Sequence, residues 1–187
     1  SALARWTGEA GGSIVASLPL LASLFAKDAD PSPYRPASRL FWNEFYLAPE
    51  DTIEWGLCEG TRRTWEAERW CHSRDALRAS EYVDYEGVTA LKRSVLAELS
   101  RRFFAGADAA RRQDFARYVA SNPHVAEYAA FSARSRGAGQ GSPEERYHLY
   151  CQWQMDRQLA GVAANGGPGL LFDLPLGVHP LGFDAQK

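Results

Sequence analysis

The sequence predicts a helix-rich α/β fold in which short parallel strands flank a large helical insertion. Two observations carry that prediction. "SIVASLPL" (13–20) and "LLFDLPLGVHP" (170–180) are short runs with apolar residues on both faces, the pattern of strands buried between helices in a parallel sheet. The long region between them repeats its apolar residues at three- and four-residue steps, which is the helical period. The paired segments "SLPL" (17–20) and "DLPL" (173–176) suggest two strands in similar surroundings, although they are too short to be a repeat. Helices between apolar strands point to a parallel sheet.

The elements follow in order. "ALARWTGEAGG" (2–12) reads as a helix stopped by Gly11 and Gly12. After the first strand comes "DADPSPYRPASRLFWNEFYL" (28–47), which cannot be a helix interior because its prolines lack backbone donors. Residues 48–80 read as short helices and loops. "YEGVTALKRSVLAELSRRFF" (85–104) sets Val88, Leu91, Val95, Leu99 and Phe103 on one helical face. Asp108 is placed to cap a helix bearing Phe115, Tyr118 and Val119, and Asn122-Pro123 to open another. Ser142–Glu145 ("SPEE") forms a capping box for a long helix to about Ala164, with Tyr147, Tyr150, Trp153 and Leu159 inward. "NGGPG" (165–169) stops it. The division is therefore one domain in three parts: 1–50 with the first strands and the S-P-Y loop, 51–165 helical, and 166–187 with the next strand.

Composition narrows the function classes. The chain has 187 residues, 45% hydrophobic and 24% charged, enough for one core. A net charge of -2 argues against nucleic acid and anionic membrane as partners. The pairs Arg62-Arg63, Arg101-Arg102 and Arg111-Arg112 have acidic neighbours and read as solvated faces. Cys58, Cys71 and Cys151 form no metal-binding spacing, so neither metal nor other cofactor is expected, and a reducing, cytoplasmic compartment fits them. The apolar run 13–26 is too short to span a bilayer, and Glu9 just ahead of it speaks against a secretory leader. "GAGQGS" (137–142) lacks the strand and Lys-Ser/Thr of a phosphate loop and reads as a helix connection.

In parallel α/β folds, binding groups gather beyond the carboxyl ends of the strands. Those ends here carry "PSPYRP" and Asp173. Tyrosine with Asp, Ser and Asn suits a polyhydroxylated ligand, whose ring has apolar faces and a polar rim. The competing reading is that Tyr34, Phe41, Trp42, Phe45 and Tyr46 are core, and that Asp173 is a turn or capping aspartate.

The residues also resemble a known family, the 4-alpha-glucanotransferases or amylomaltases. The resemblance rests on "LPLLASLF…PSPYRPASRLFWNEFYL", "VDYEGVTALKRSVL", "HVAEYAAFSAR", "YHLYCQWQMDRQLAGVA" and "LLFDLPLGVHP", in that order along essentially the whole chain. It implies a partial (β/α)8 TIM barrel with a helical insertion. It further implies α-1,4-glucan or maltooligosaccharide as substrate, with segments transferred through a covalent glycosyl-enzyme intermediate. Carried over by position, Tyr34 matches a substrate-contacting tyrosine and Asp173 the aspartate of a D-x-P strand end. Ser32, Ser38 and Asn43 match neighbouring motif positions. The resemblance has departures. Leu181 stands where the family commonly has aspartate, and Asp184-Ala185-Gln186 where it has D-V-W. The family's R-I-D-H nucleophile motif and its later carboxylates have no counterpart in these residues, so no catalytic residue is assigned. The expectation is a portion of a glucanotransferase, inactive alone and prone to self-association through uncovered barrel surface. The alternative is a non-catalytic carbohydrate-binding or helical interaction module on the same scaffold.

Overall fold

A computed structural model describes residues 2–24, 32–164 and 167–187. Helix α1 (Ala2–Glu9) leads through a glycine turn, with Gly11 at φ 80°, into strand β1 (Ile14–Ser17). Helices α2 (Ile53–Leu57), α3 (Glu59–Glu66), α4 (Glu68–Ala79), α5 (Tyr85–Gly106), α6 (Ala109–Ser121), α7 (Val125–Arg134) and α8 (Pro143–Ala164) follow. Strand β2 (Gly169–Phe172) then pairs with β1 in parallel, Ile14 opposite Gly169 and Ser17 opposite Phe172. The helix-rich α/β class and the parallel sheet are as expected, and the two similar strands prove to be direct neighbours in it.

The two long helices form for legible reasons. Asp84 caps α5 by accepting from Gly87 N at 2.8 Å, and Val95, Leu96, Leu99 and Phe103 make its buried stripe. Ser142 accepts from Glu145 N at 3.3 Å to open α8, while the Glu145 carboxylate turns back to Gly141 N. Helix α8 buries Tyr147, Tyr150, Cys151, Trp153 and Met155 against α5 and its neighbours. A second cluster joins Ala22, Phe41, Val125, Tyr128 and Phe183, with Phe41 stacked on Tyr128 at a centroid distance of 4.3 Å. Asp108 caps α6 as expected, accepting from Arg111 N.

Three expectations are corrected. The strands are not covered on both faces: burial alternates along each, and Ile14 and Leu171 are exposed. Only two strands pair among the described residues, and Trp42 packs edge-on against Phe172 on one face. An apolar strand is dry on both sides only where something packs on both. Asn122 does not open α7. Its side chain donates to Tyr118 O at 2.8 Å and closes α6, and α7 begins after a turn at His124. Arg111 is not on a solvated face. Its guanidinium is buried 2.6 Å from Glu54 and stacked 4.3 Å over the Trp153 ring. The flat, delocalised guanidinium tolerates this aromatic burial where an ammonium would not.

Candidate functional site

The candidate site lies where the chain leaves the two parallel strands. Beyond β1, the backbone runs to Leu24 and returns from Ser32. The return strand bridges antiparallel to the outgoing one, Leu21 beside Trp42, with Ala22 N donating to Phe41 O at 2.8 Å and Asn43 N to Leu20 O at 2.9 Å. From Ala37 to Asn43 the returning chain thus runs beside the outgoing one. Pro31, the first of its prolines, lies outside the described residues, whereas Pro36 is fully buried and pins the loop to the body.

Two of the five expected site residues meet directly. The Tyr34 hydroxyl donates to Asp173 Oδ2 at 2.8 Å, joining the loop after β1 to the residue after β2. Tyr34 is 44% exposed and Asp173 is exposed, so the pair faces outward. The Asp173 carboxylate, by accepting that hydrogen bond, raises the phenol above the usual tyrosine range. Ser32 accepts from Tyr34 N at 3.3 Å and so shapes the turn that presents the ring.

Ser38 and Asn43 are buried and spend their polar groups within the chain. The Ser38 hydroxyl donates to Asp184 Oδ1 at 2.6 Å and accepts from Leu40 N at 3.1 Å. Asn43 donates to the Ser23 hydroxyl at 3.3 Å and accepts from Phe45 N at 3.0 Å, capping a 3-10 turn. Among the aromatics, Phe41 is core, Trp42 and Phe45 are half-buried, and Tyr46 is exposed. The core reading therefore holds for Phe41 and not for Tyr34.

The helices hold the far side of this loop through groups that no motif announced. The Gln152 side chain of α8 accepts from Trp42 N at 2.8 Å and donates to Trp42 O at 2.7 Å. Gln158 does the same for Ala48, at 3.0 and 2.8 Å. Each amide acts as a one-residue strand, satisfying a backbone pair that would otherwise be orphaned. Their partners are main-chain groups, which carry no residue identity, so no sequence pattern could reveal them. On α5, Lys92 donates to Leu47 O at 3.0 Å, and burial pushes its ammonium down from the usual lysine range.

Beneath the loop lies a charged cluster. Glu44 accepts from the Tyr147 hydroxyl at 2.9 Å and lies 3.6 Å from Arg93 and 3.4 Å from His148. Burial alone would raise the Glu44 carboxyl, but His148, Tyr147 and Arg93 hold it below its usual range. Glu144, hydrogen-bonded by His148 and paired with Arg93, is held down to about 2. His148 loses charge stability by burial, yet the two carboxylates raise its imidazole above the usual value. A cavity of about 430 Å³ opens beside Asn43, Glu44 and His148, and neither Tyr34 nor Asp173 lines it. We therefore place the candidate site at the exposed tyrosine–aspartate pair rather than in this cavity. A second cavity, of about 560 Å³, lies along the strand ends and includes Asp173.

No helix among the described residues is long and apolar enough to cross a membrane. The sequence profile of 4-alpha-glucanotransferase matches residues 1–145. The 4-alpha-glucanotransferases of Mycobacterium bovis and Mycobacterium tuberculosis are each 28% identical over 214 residues, covering 98% of this chain. The crystal structure of amylomaltase from Corynebacterium glutamicum superposes with a TM-score of 0.85 at 26% identity, again over 98% of this chain. The chain spans 30% of the length of those curated relatives and 28% of that crystallised chain. A matched profile over most of the residues, the order of motifs and the shared fold together establish that this chain belongs to the 4-alpha-glucanotransferase family.

Proposed function

We propose that this chain forms part of the glucan-binding face of a 4-alpha-glucanotransferase. The reaction of that enzyme type moves α-1,4-glucan segments between maltooligosaccharides. On this reading β1 and β2 are neighbouring strands of a (β/α)8 barrel, and α2 to α8 are its helical insertion. Tyr34 and Asp173 contact the sugar, the ring against the C–H face and the carboxylate toward hydroxyls. Ser32 shapes their turn, while Ser38 and Asn43 fix the loop from below. The observation that carries the reading is the 2.8 Å hydrogen bond between Tyr34 and Asp173, exposed at the ends of adjacent parallel strands.

Retaining glycosyl transfer needs a carboxylate nucleophile and a second carboxyl group roughly 5–5.5 Å apart. No residue here matches the family's nucleophile motif, so turnover requires residues beyond these. Three free cysteines support a reducing, cytoplasmic setting. The exposed strip of Ile14, Leu171, Leu174 and Leu176 supports association through the uncovered side of the sheet.

The test is maltoheptaose titration of the 187-residue chain, followed by NMR, with a parallel assay of oligosaccharide redistribution. The expected result is weak binding by the parent chain, lost by about tenfold in Tyr34→Ala, since one lost hydrogen bond with its ring contact is worth roughly 1.4 kcal/mol. No redistribution is expected. Binding unaffected by Tyr34→Ala would sink the site, and turnover by this chain would sink the claim that it lacks the machinery.

A further inference from the structure

The loop that carries Tyr34 is not held by the tyrosine–aspartate bond alone. From Pro36 to Arg39 it is fastened, residue by residue, to the segment that follows β2. Pro36 O accepts from His179 N at 2.8 Å, and Ala37 O accepts from Asp184 N at 3.4 Å. The Asp184 carboxylate then receives two bonds on separate oxygens, from the Ser38 hydroxyl at 2.6 Å and from Arg39 N at 2.8 Å. At Gly182 the two backbones come so close that a Cβ would lie 2.5 Å from Ala37 O. One aspartate therefore closes a clamp across 145 residues of sequence.

We infer that Asp184 is a positioning residue for the glucan contact: its carboxylate holds the loop in the register that sets Tyr34 against Asp173. This rests on the reading of Tyr34 and Asp173 as sugar contacts, and it adds a residue with no contact to the sugar itself. The physical case is one of orientation. A charged acceptor makes hydrogen bonds roughly twice as strong as a neutral one, and two on one rigid group fix both distance and angle. Tyr34 lies two residues before Pro36, the first residue so fastened, so the clamp bears directly on where its ring is set.

The experiment uses the 187-residue chain labelled with ¹³C at the tyrosine ring, with Tyr34 assigned by Tyr34→Phe. In the parent, Tyr34 should ionise above ordinary tyrosine because the neutral phenol donates a hydrogen bond to the Asp173 carboxylate. Asp184→Ala should return that ionisation toward the ordinary value and weaken maltoheptaose binding as much as Tyr34→Ala does. Asp184→Asn, which keeps an acceptor oxygen, should restore part of both. Ser38→Ala, which leaves the carboxylate and its Arg39 contact, serves if Asp184→Ala does not fold, and should move both readouts the same way. A Tyr34 ionisation unchanged by Asp184→Ala and Ser38→Ala would overturn the inference. So would an ionisation that moves while maltoheptaose binding stays as in the parent. If the parent itself does not bind maltoheptaose, the sugar reading fails, and the inference that Asp184 sets a glucan contact falls with it. In that case the Tyr34 ionisation still separates a clamp that orients Tyr34 from one that does not.

Discussion

The helical body and the strand end of this molecule solve the burial problem in opposite ways. In the body, even charged groups are enclosed: Glu54 accepts from Arg111 at 2.6 Å and from the Tyr150 hydroxyl at 2.8 Å, beneath the Trp153 ring. At the strand end, apolar side chains such as Leu174 and Leu176 stand in solvent, and the polar Tyr34–Asp173 contact is exposed. The body is held mainly by packing. The strand end is held by long-range polar ties such as those of Asp184, together with the small cluster of Phe41, Tyr128 and Phe183. Exposed loops set on a packed scaffold are the usual division of labour between surface and core.

This contrast can be broken in order of expected effect. Glu54→Ala leaves the Arg111 guanidinium buried without its carboxylate, and should destabilise the fold by about 3–5 kcal/mol in denaturant unfolding. A loss below about 1 kcal/mol would mean that the pair is solvated in solution. Gly182→Ala forces apart the two backbones at Ala37 and should cost about 1–3 kcal/mol. The far-ultraviolet helix signal should persist, because the strain falls on the strand-end loops and not on α5 or α8.

The smallest effect expected is the pH dependence of the Glu44–His148–Glu144 cluster, which joins the two regions. Glu144, ordinarily near 4.5 and held at about 2, adds stability above about pH 4.5 that is lost as pH falls toward 2. Glu44, also lowered, acts in the same direction. His148 is raised above 6.5, so its contribution is complete below that value and lost as pH rises through its folded pKa. Melting temperature should therefore be highest between about pH 4.5 and 6.5 for this cluster, and His148→Gln should flatten the alkaline side. An unchanged alkaline side in His148→Gln would remove the histidine from the account.

Much of the architecture was legible because it depends on local rules. Asp108 and Ser142 cap the helices they precede or open, and the apolar steps from Leu91 to Phe103 face inward. The meeting of Tyr34 and Asp173 was legible only as two strand-end residues of suitable chemistry. The sequence sets Arg111 between Asp108 and Asp114 and beside Arg112, which suggests a solvated face, whereas its neighbours in space are Trp153 and Glu54. Asn122 was misread because an asparagine before proline fits either a helix start or a helix end, and the Tyr118 carbonyl decides which.

By itself the sequence determined the long helices, the Asp108 and Ser142 caps, the two strands and the residue types gathered at the strand ends, since all of these follow from periodicity and backbone preference within a few residues. The tertiary structure alone decided that Gln152 and Gln158 clasp the loop backbone, that Ser38 and Asn43 face inward, and that Asp184 closes the clamp behind Tyr34. Those contacts join residues about 110 and 146 positions apart, or join a side chain to main chain. A hydrogen bond of that kind leaves no periodic trace. It exists only once the chain has folded back on itself.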